Sequence, residues 1–274
     1  MPRAFDVKFL YMDETYPDFS LPRQTWSVCL TGMLVPAASH REIRARFYNA
    51  VADAVGRQSN TVPPVMEIHA ATLLPDSDDV TRIAFLANLV SIITDYDLSL
   101  FRVGYRRTRT LLNMCGTNAA ILGLAFGGML NLISQELEST PIWPVMETDR
   151  SNLQDQSFAG AVQFTDHIAA HIGADALSRD QSNLGEVLYS TKRSIYGALV
   201  DCAAYLLNVR TLAAQGVALS DYKRQLCTVA SQLLPIVQFD EIITMRLEMP
   251  SPENSGDGGS RPGVRIVPND SSDQ

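Results

Sequence analysis

The stretch Phe5-Asp6-Val7-Lys8-Phe9-Leu10-Tyr11-Met12-Asp13-Glu14 decides the reading of this chain. Its apolar run predicts a buried strand over Phe5 to Met12, ending in two adjacent acids. A polar turn carrying Pro17 and Pro22 follows, and Thr25 to Val35 (TWSVCLTGMLV) predicts a second strand, paired antiparallel with the first. An acid at the carboxyl end of a first strand stands where many α/β proteins bind their ligands. Glu14 is adjacent to Asp13 and so points to the opposite face.

Working outward, Ser39 to Val55 predicts a helix that Ser39 can cap, with Ile43, Phe47, Ala50 and Ala54 at helical spacing. Val65 to Ala70 is short and extended, Asp78 to Tyr96 is an amphipathic helix, and Leu98 to Tyr105 alternates as a strand does. Leu111 to Leu137 predicts one long helix, or two joined at the glycines. Ile142 to Thr148 predicts a strand in which Pro144 argues for an edge or a bulge. Ser157 to Ile172 predicts a helix and Leu184 to Tyr189 a short strand. Ser194 to Ala214 and Ser220 to Leu234 predict helices, the second stopped by Pro235, and Ile236 to Met249 is extended. The expected fold class is α/β, a mixed sheet covered by helices.

The chain has 274 residues, 46% hydrophobic and 19% charged, enough for one buried core over residues 1–249. Residues 250–274 turn to Pro, Gly, Ser, Asn and Asp and predict a disordered acidic tail. The first residues lack a secretory pattern, and the apolar run Ile121 to Ile133 is short and interrupted, so the expected location is the cytoplasm, away from membranes. That helix is a candidate surface for oligomer contacts. Cys29, Cys115, Cys202 and Cys227 are scattered without CxxC spacing and predict reduced core thiols. A net charge of −8 and a pI near 5.0 disfavour bulk coating of nucleic acid but are compatible with a carboxylate site that binds cations.

The acids carry the functional reading. Glu67 and His69 lie two apart on an extended segment and share a face, a pairing that can bind a divalent metal or carry a proton. Glu147 and Asp149 repeat that spacing at the end of a strand. Asp201 is the one charge in Ile195 to Leu207, where a lone buried carboxylate must be neutralised, paired or metal-bound. Strand-end acids with a late helical aspartate suit two divalent ions that activate water and stabilise the leaving oxygen of a phosphodiester. Hard oxygen ligands select Mg²⁺ or Mn²⁺. Arg102, Arg106, Arg107 and Arg109 cluster around Tyr105 and are candidates for gripping a phosphate backbone, as are Lys192 and Arg193.

The same positions carry a resemblance. Tyr11-Met12-Asp13-Glu14, Glu67-Ile68-His69, Glu147-Thr148-Asp149-Arg150, and Thr191-Lys192-Arg193-Ser194 followed by Ala198-Leu199-Val200-Asp201-Cys202-Ala203-Ala204-Tyr205 resemble, in order, motifs of the domain-of-unknown-function family numbered 3800. The resemblance spans residues near 7 to 210. It implies a ribonuclease H-like fold and a metal-dependent nuclease or phosphodiesterase with Asp13, Glu67, Asp149 and Asp201 as ligands, Glu147 as an alternative, and His69 orienting a ligand or moving a proton. It also implies a setting in mobile elements or phage defence. Thr15-Tyr16 stands where the family has Ser-Gly, and Ala198 where it has Gln. The alternative is therefore a catalytically degenerate interaction module on the same scaffold.

Overall fold

The structure is a computed structural model, and it describes residues 7–55, 69–70, 77–136, 142–147, 188–190, 194–248 and 263–267. Alternation of apolar side chains makes the strands. In β1 (Lys8–Thr15), Leu10 and Met12 enter one core while Tyr11 enters another on the opposite face. β2 (Ser27–Pro36) divides likewise, with Met33 and Val35 on the Tyr11 side and Leu30 and Leu34 on the other. The two pair antiparallel from Lys8↔Pro36 to Thr15↔Cys29, as expected.

β3 (Leu100–Arg106) pairs antiparallel with β2, and β4 (Ile142–Glu147) lies parallel to β1 on its far side. β5 (Leu188–Ser190) extends that side, β6 (Val237–Glu248) runs parallel to β3, and β7 (Gly263–Val267) closes the row antiparallel to β6. The sheet order is β5-β4-β1-β2-β3-β6-β7. Five strands thus run one way, and β2 and β7 run the other. The fold is mixed α/β, as the sequence predicts.

On the Tyr11 face lie α1 (His40–Val55), α2 (Asp79–Asp95), α5 (Ile195–Ala214) and α6 (Asp221–Ser231). α5 is apolar nearly all round because it is wedged between the sheet and its neighbours α2 and α6. Ser194 begins it by accepting the Gly197 N–H, and Asp78 and Ser220 cap α2 and α6 in the same way. The opposite face is covered by α3 (Arg109–Cys115) and α4 (Asn118–Glu136), whose Ile121, Phe126, Met129 and Ile133 pack on Leu10, Leu30 and Val103.

Several expectations need correction. The region from 111 to 137 is two helices, but they part at Gly116, whose φ of 75° ends α3 and turns the chain by 91°. Gly123, Gly127 and Gly128 continue the helix instead. β4 is an interior strand, not an edge. Among the described residues β5 pairs with Val145 to Glu147, the positions that follow Pro144. The fourth helix on the Tyr11 face stops at Ser231, and Pro235 sits in a separate 3₁₀ turn, Leu234–Ile236. Within 250–274, Gly263–Val267 is a strand on the edge of β6, where backbone pairing with Thr244–Glu248 fixes a segment that composition alone marks as tail. The expected helix over 157–172 and the start of the expected strand at 184 lie outside the described residues.

No single described helix is long and apolar enough to cross a membrane, and the bent pair α3 and α4 sits with its apolar face in the core. All four cysteines are free. Burial pushes the Cys115 thiol up to about 11 and the Cys202 thiol higher still, so both are held as unreactive thiols.

Candidate functional site

Parallel strands gather their carboxyl ends at one edge of the sheet. Here that edge collects the ends of β1, β3, β4, β5 and β6. Asp13 lies in β1, paired with Thr31 and half-buried, on the face that Tyr11 shares. Glu147 follows Met146 as Asp13 follows Met12, and Met12 and Met146 are register partners. The two acidic positions therefore leave neighbouring parallel strands at the same level. Glu147 is described here by its backbone, which pairs with Ser190.

α5 lies across β1 on this face. Tyr196 in its first turn stacks on Tyr11, with ring centroids 4.7 Å apart, and its hydroxyl donates to the His40 carbonyl at 2.9 Å. Asp201 follows in the next turn, with a side chain 24% exposed. Its Oδ2 accepts the Ala70 N–H at 2.7 Å and lies 3.9 Å from His69 Nδ1. The apolar helix thus carries its aspartate to a polar partner, as desolvation demands. That partner is a backbone N–H with a histidine beside it, and it ties residues 69–70 to α5 across 131 positions of sequence.

Of the predicted site residues, the structure brings His69 and Asp201 together and puts α5 against the strand that carries Asp13. Glu67 and Asp149 lie outside the described residues. Among the described residues no three His, Cys, Asp or Glu side chains form a group that could hold a metal ion.

The arginine cluster disperses. Arg102 is fully buried, and this corrects its assignment as a phosphate contact: a side chain 0% exposed cannot reach a nucleic acid. Its Nη1 donates to Thr211 Oγ1 at 2.7 Å, to Asp240 Oδ1 at 3.1 Å and to the Leu207 carbonyl at 3.3 Å. Register places Asp13, Thr31, Arg102 and Asp240 in one row across β1, β2, β3 and β6, with α5 over it. Arg106 donates to the Gln24 carbonyl. Arg107 lies over the Phe19 and Trp26 rings, 5.1 and 5.9 Å from their centroids. Arg109 is exposed at the start of α3. Lys192 and Arg193 lie outside the described residues.

Sequence reasoning missed Asp240 and Thr211. The signal for them was an arginine flanked by Leu100, Phe101 and Val103 in a strand, a position that demands a buried anion. It also missed Phe19 and Trp26, which lie in and just after a Pro-containing turn that reads as a connector. No family model matches the chain, and neither the curated proteins nor the solved structures yield a match.

Proposed function

We propose that the chain is a divalent-metal-dependent nuclease with a ribonuclease H-like fold, related to the family numbered 3800. The observation that carries the proposal is the placement of Asp201. This late helical acid is fixed against the His69-Ala70 segment, next to Glu67 in sequence, on a helix packed over the strand that carries Asp13 near its carboxyl end. The strand order supports it. A ribonuclease H-like sheet has three antiparallel strands followed by two that add, parallel, beyond the first, and β3-β2-β1-β4-β5 runs in that order here.

The residues present fit such ions by their chemistry, because carboxylate oxygens are hard donors suited to Mg²⁺ or Mn²⁺. Asp13, Glu67, Asp149 and Asp201 would hold them, with Glu147 as an alternative. Ions held there would supply activation of water and stabilisation of the leaving oxygen of the phosphodiester. The chain's own part is orientation: the Ala70 N–H fixes the Asp201 carboxylate, and His69 stands beside it to steady it or to move a proton.

The test is cleavage of labelled single- and double-stranded DNA, RNA and an RNA–DNA hybrid with Mg²⁺, Mn²⁺ or EDTA. The wild type is compared with Asp13→Asn and Asp201→Asn. The expected result is cleavage that needs metal and is lost in both variants. Absence of cleavage by protein shown to be folded, together with no Mn²⁺ binding by calorimetry, refutes the reading in favour of the catalytically degenerate interaction module.

A further inference from the structure

The turn between β1 and β2 carries an aromatic and cationic cluster at the same sheet edge as Asp13. Phe19 is 56% exposed and meets Trp26 edge-on, ring centroids 4.9 Å apart at 90°. The Arg107 guanidinium lies over both rings, and the exposed Arg23 lies 5.9 Å from the Trp26 centroid. The cluster is braced. Trp26 Nε1–H donates to the Leu21 carbonyl at 3.0 Å, Arg107 Nε donates to Asn118 Oδ1 at 3.1 Å, and the Arg107 N–H donates to the Trp26 carbonyl at 3.0 Å. Asp18, the acid in the turn, is held by the Ser20 N–H and hydroxyl, at 2.9 and 2.6 Å.

Resting on the reading of the acid site as a nuclease, we infer that Phe19, Trp26, Arg23 and Arg107 form a platform for single-stranded nucleic acid and make the unpaired strand the substrate. An exposed ring offers a face on which an unpaired base stacks, which a duplex cannot use except at its ends. The guanidiniums beside it meet the phosphates, so charge and shape complement one ligand chemistry. Spacing agrees. Trp26 precedes Thr31, the partner of Asp13, by five strand steps of about 3.4 Å, so platform and acid stand roughly 17 Å apart. Alternation along β2 sets Trp26 with Val28 and Leu30 on the α4 face, across the sheet from Asp13, so a strand stacked on the platform reaches the acid by passing over the rim that both share.

The probes are fluorescein-labelled single-stranded DNA and RNA of ~15 nucleotides, within the site sizes such platforms occupy, and the matched duplex. Binding is read by anisotropy with EDTA present, so that no cleavage intervenes. Wild type is expected to prefer the single strands, and the DNA and RNA arms rank the two. Phe19→Ala is expected to weaken binding roughly tenfold, the loss of one base–aromatic stack, with Phe19→Trp restoring it. Arg107→Gln is expected to weaken binding and flatten its salt dependence. Unchanged melting temperatures establish that the variants are folded; Phe19 is exposed, so its removal leaves the core intact. Equal affinity of Phe19→Ala, or tighter binding to duplex, overturns the platform. If metal-dependent cleavage persists in that case, the nuclease reading survives without it. If Phe19-dependent binding occurs and no metal supports cleavage, the platform stands and the nuclease reading falls.

Discussion

Removing the anion that faces Arg102 tests how this fold tolerates a charge in its interior. Arg102 is 0% exposed and Asp240 is 22% exposed, and their contact is 3.1 Å. Asp240→Ala strands a cation that cannot reach water. Loss of one partner of a buried pair costs roughly 3–5 kcal/mol. Thr211 and the Leu207 carbonyl still accept from Arg102, and Asp240 is partly solvated, so the lower end, about 3 kcal/mol, is expected. Arg102→Met behaves differently. It fills much of the same space, Asp240 turns to solvent, and Thr211 keeps its own bond to the Leu207 carbonyl at 2.9 Å. About 1 kcal/mol is expected there, because an apolar replacement removes the desolvation along with the pair. The double variant should resemble Arg102→Met rather than the sum. In a chain of this size about 3 kcal/mol lowers the melting temperature by roughly 6–12 °C. Urea and thermal unfolding followed by circular dichroism measure all three variants. If Arg102→Met is at least as costly as Asp240→Ala, or the two add, the stranded charge is not what holds this row together.

Further outcomes follow from four other sites. Gly104→Ala should destabilise by about 2 kcal/mol, since its new Cβ would sit 2.4 Å from Cys29 Sγ and 3.3 Å from the Val28 carbonyl oxygen. Gly32→Ala should cost less because its close neighbours are the flexible tips of Met129 and Leu10; parallel urea titrations rank the two. Ser194→Ala should cost about 1 kcal/mol by removing the acceptor for the Gly197 N–H, read as a lower urea midpoint at unchanged slope. Burial among Phe9, Tyr11 and Tyr196 holds His40 below its ordinary 6.5. The unfolded chain then binds more protons than the folded one, so stability should fall as pH drops below 6.5 and level off once the folded-state value is passed. His40→Phe should flatten that slope in melting temperature against pH.

The parts of the fold that were legible are those where local chemistry and packing agree. β1 and β2 follow from two apolar runs about a proline-bearing turn, and α5 and α6 from serine caps ahead of an apolar and an amphipathic run. That Asp201 needs a partner was legible as chemistry, because a carboxylate in an apolar helix must be paired or neutralised; that the partners are the Ala70 N–H and His69 was not. Which glycine of the 111–137 region breaks the helix was not legible, because glycines inside a helix and past its end look alike in sequence; only positive φ separates them. Arg102 was misread because four arginines near one tyrosine read as a surface patch. Strand alternation instead sends this one inward, toward an aspartate 138 residues away. β7 was missed because its order comes from the edge of β6 and not from its own composition.

The common direction of β1, β3, β4, β5 and β6 bears on how such a protein can diversify. The segments that leave those strands, including the turn with Phe19 and the start of α3, depart from one rim. The two cores lie on the sheet faces, set by side chains such as Leu10 and Tyr11 that precede the rim. Insertions or exchanges at the rim therefore change the surface presented there without altering the two cores. If the proposed platform holds, a chimera that takes its β1–β2 turn from another such chain is expected to change its nucleic-acid preference on an unaltered frame.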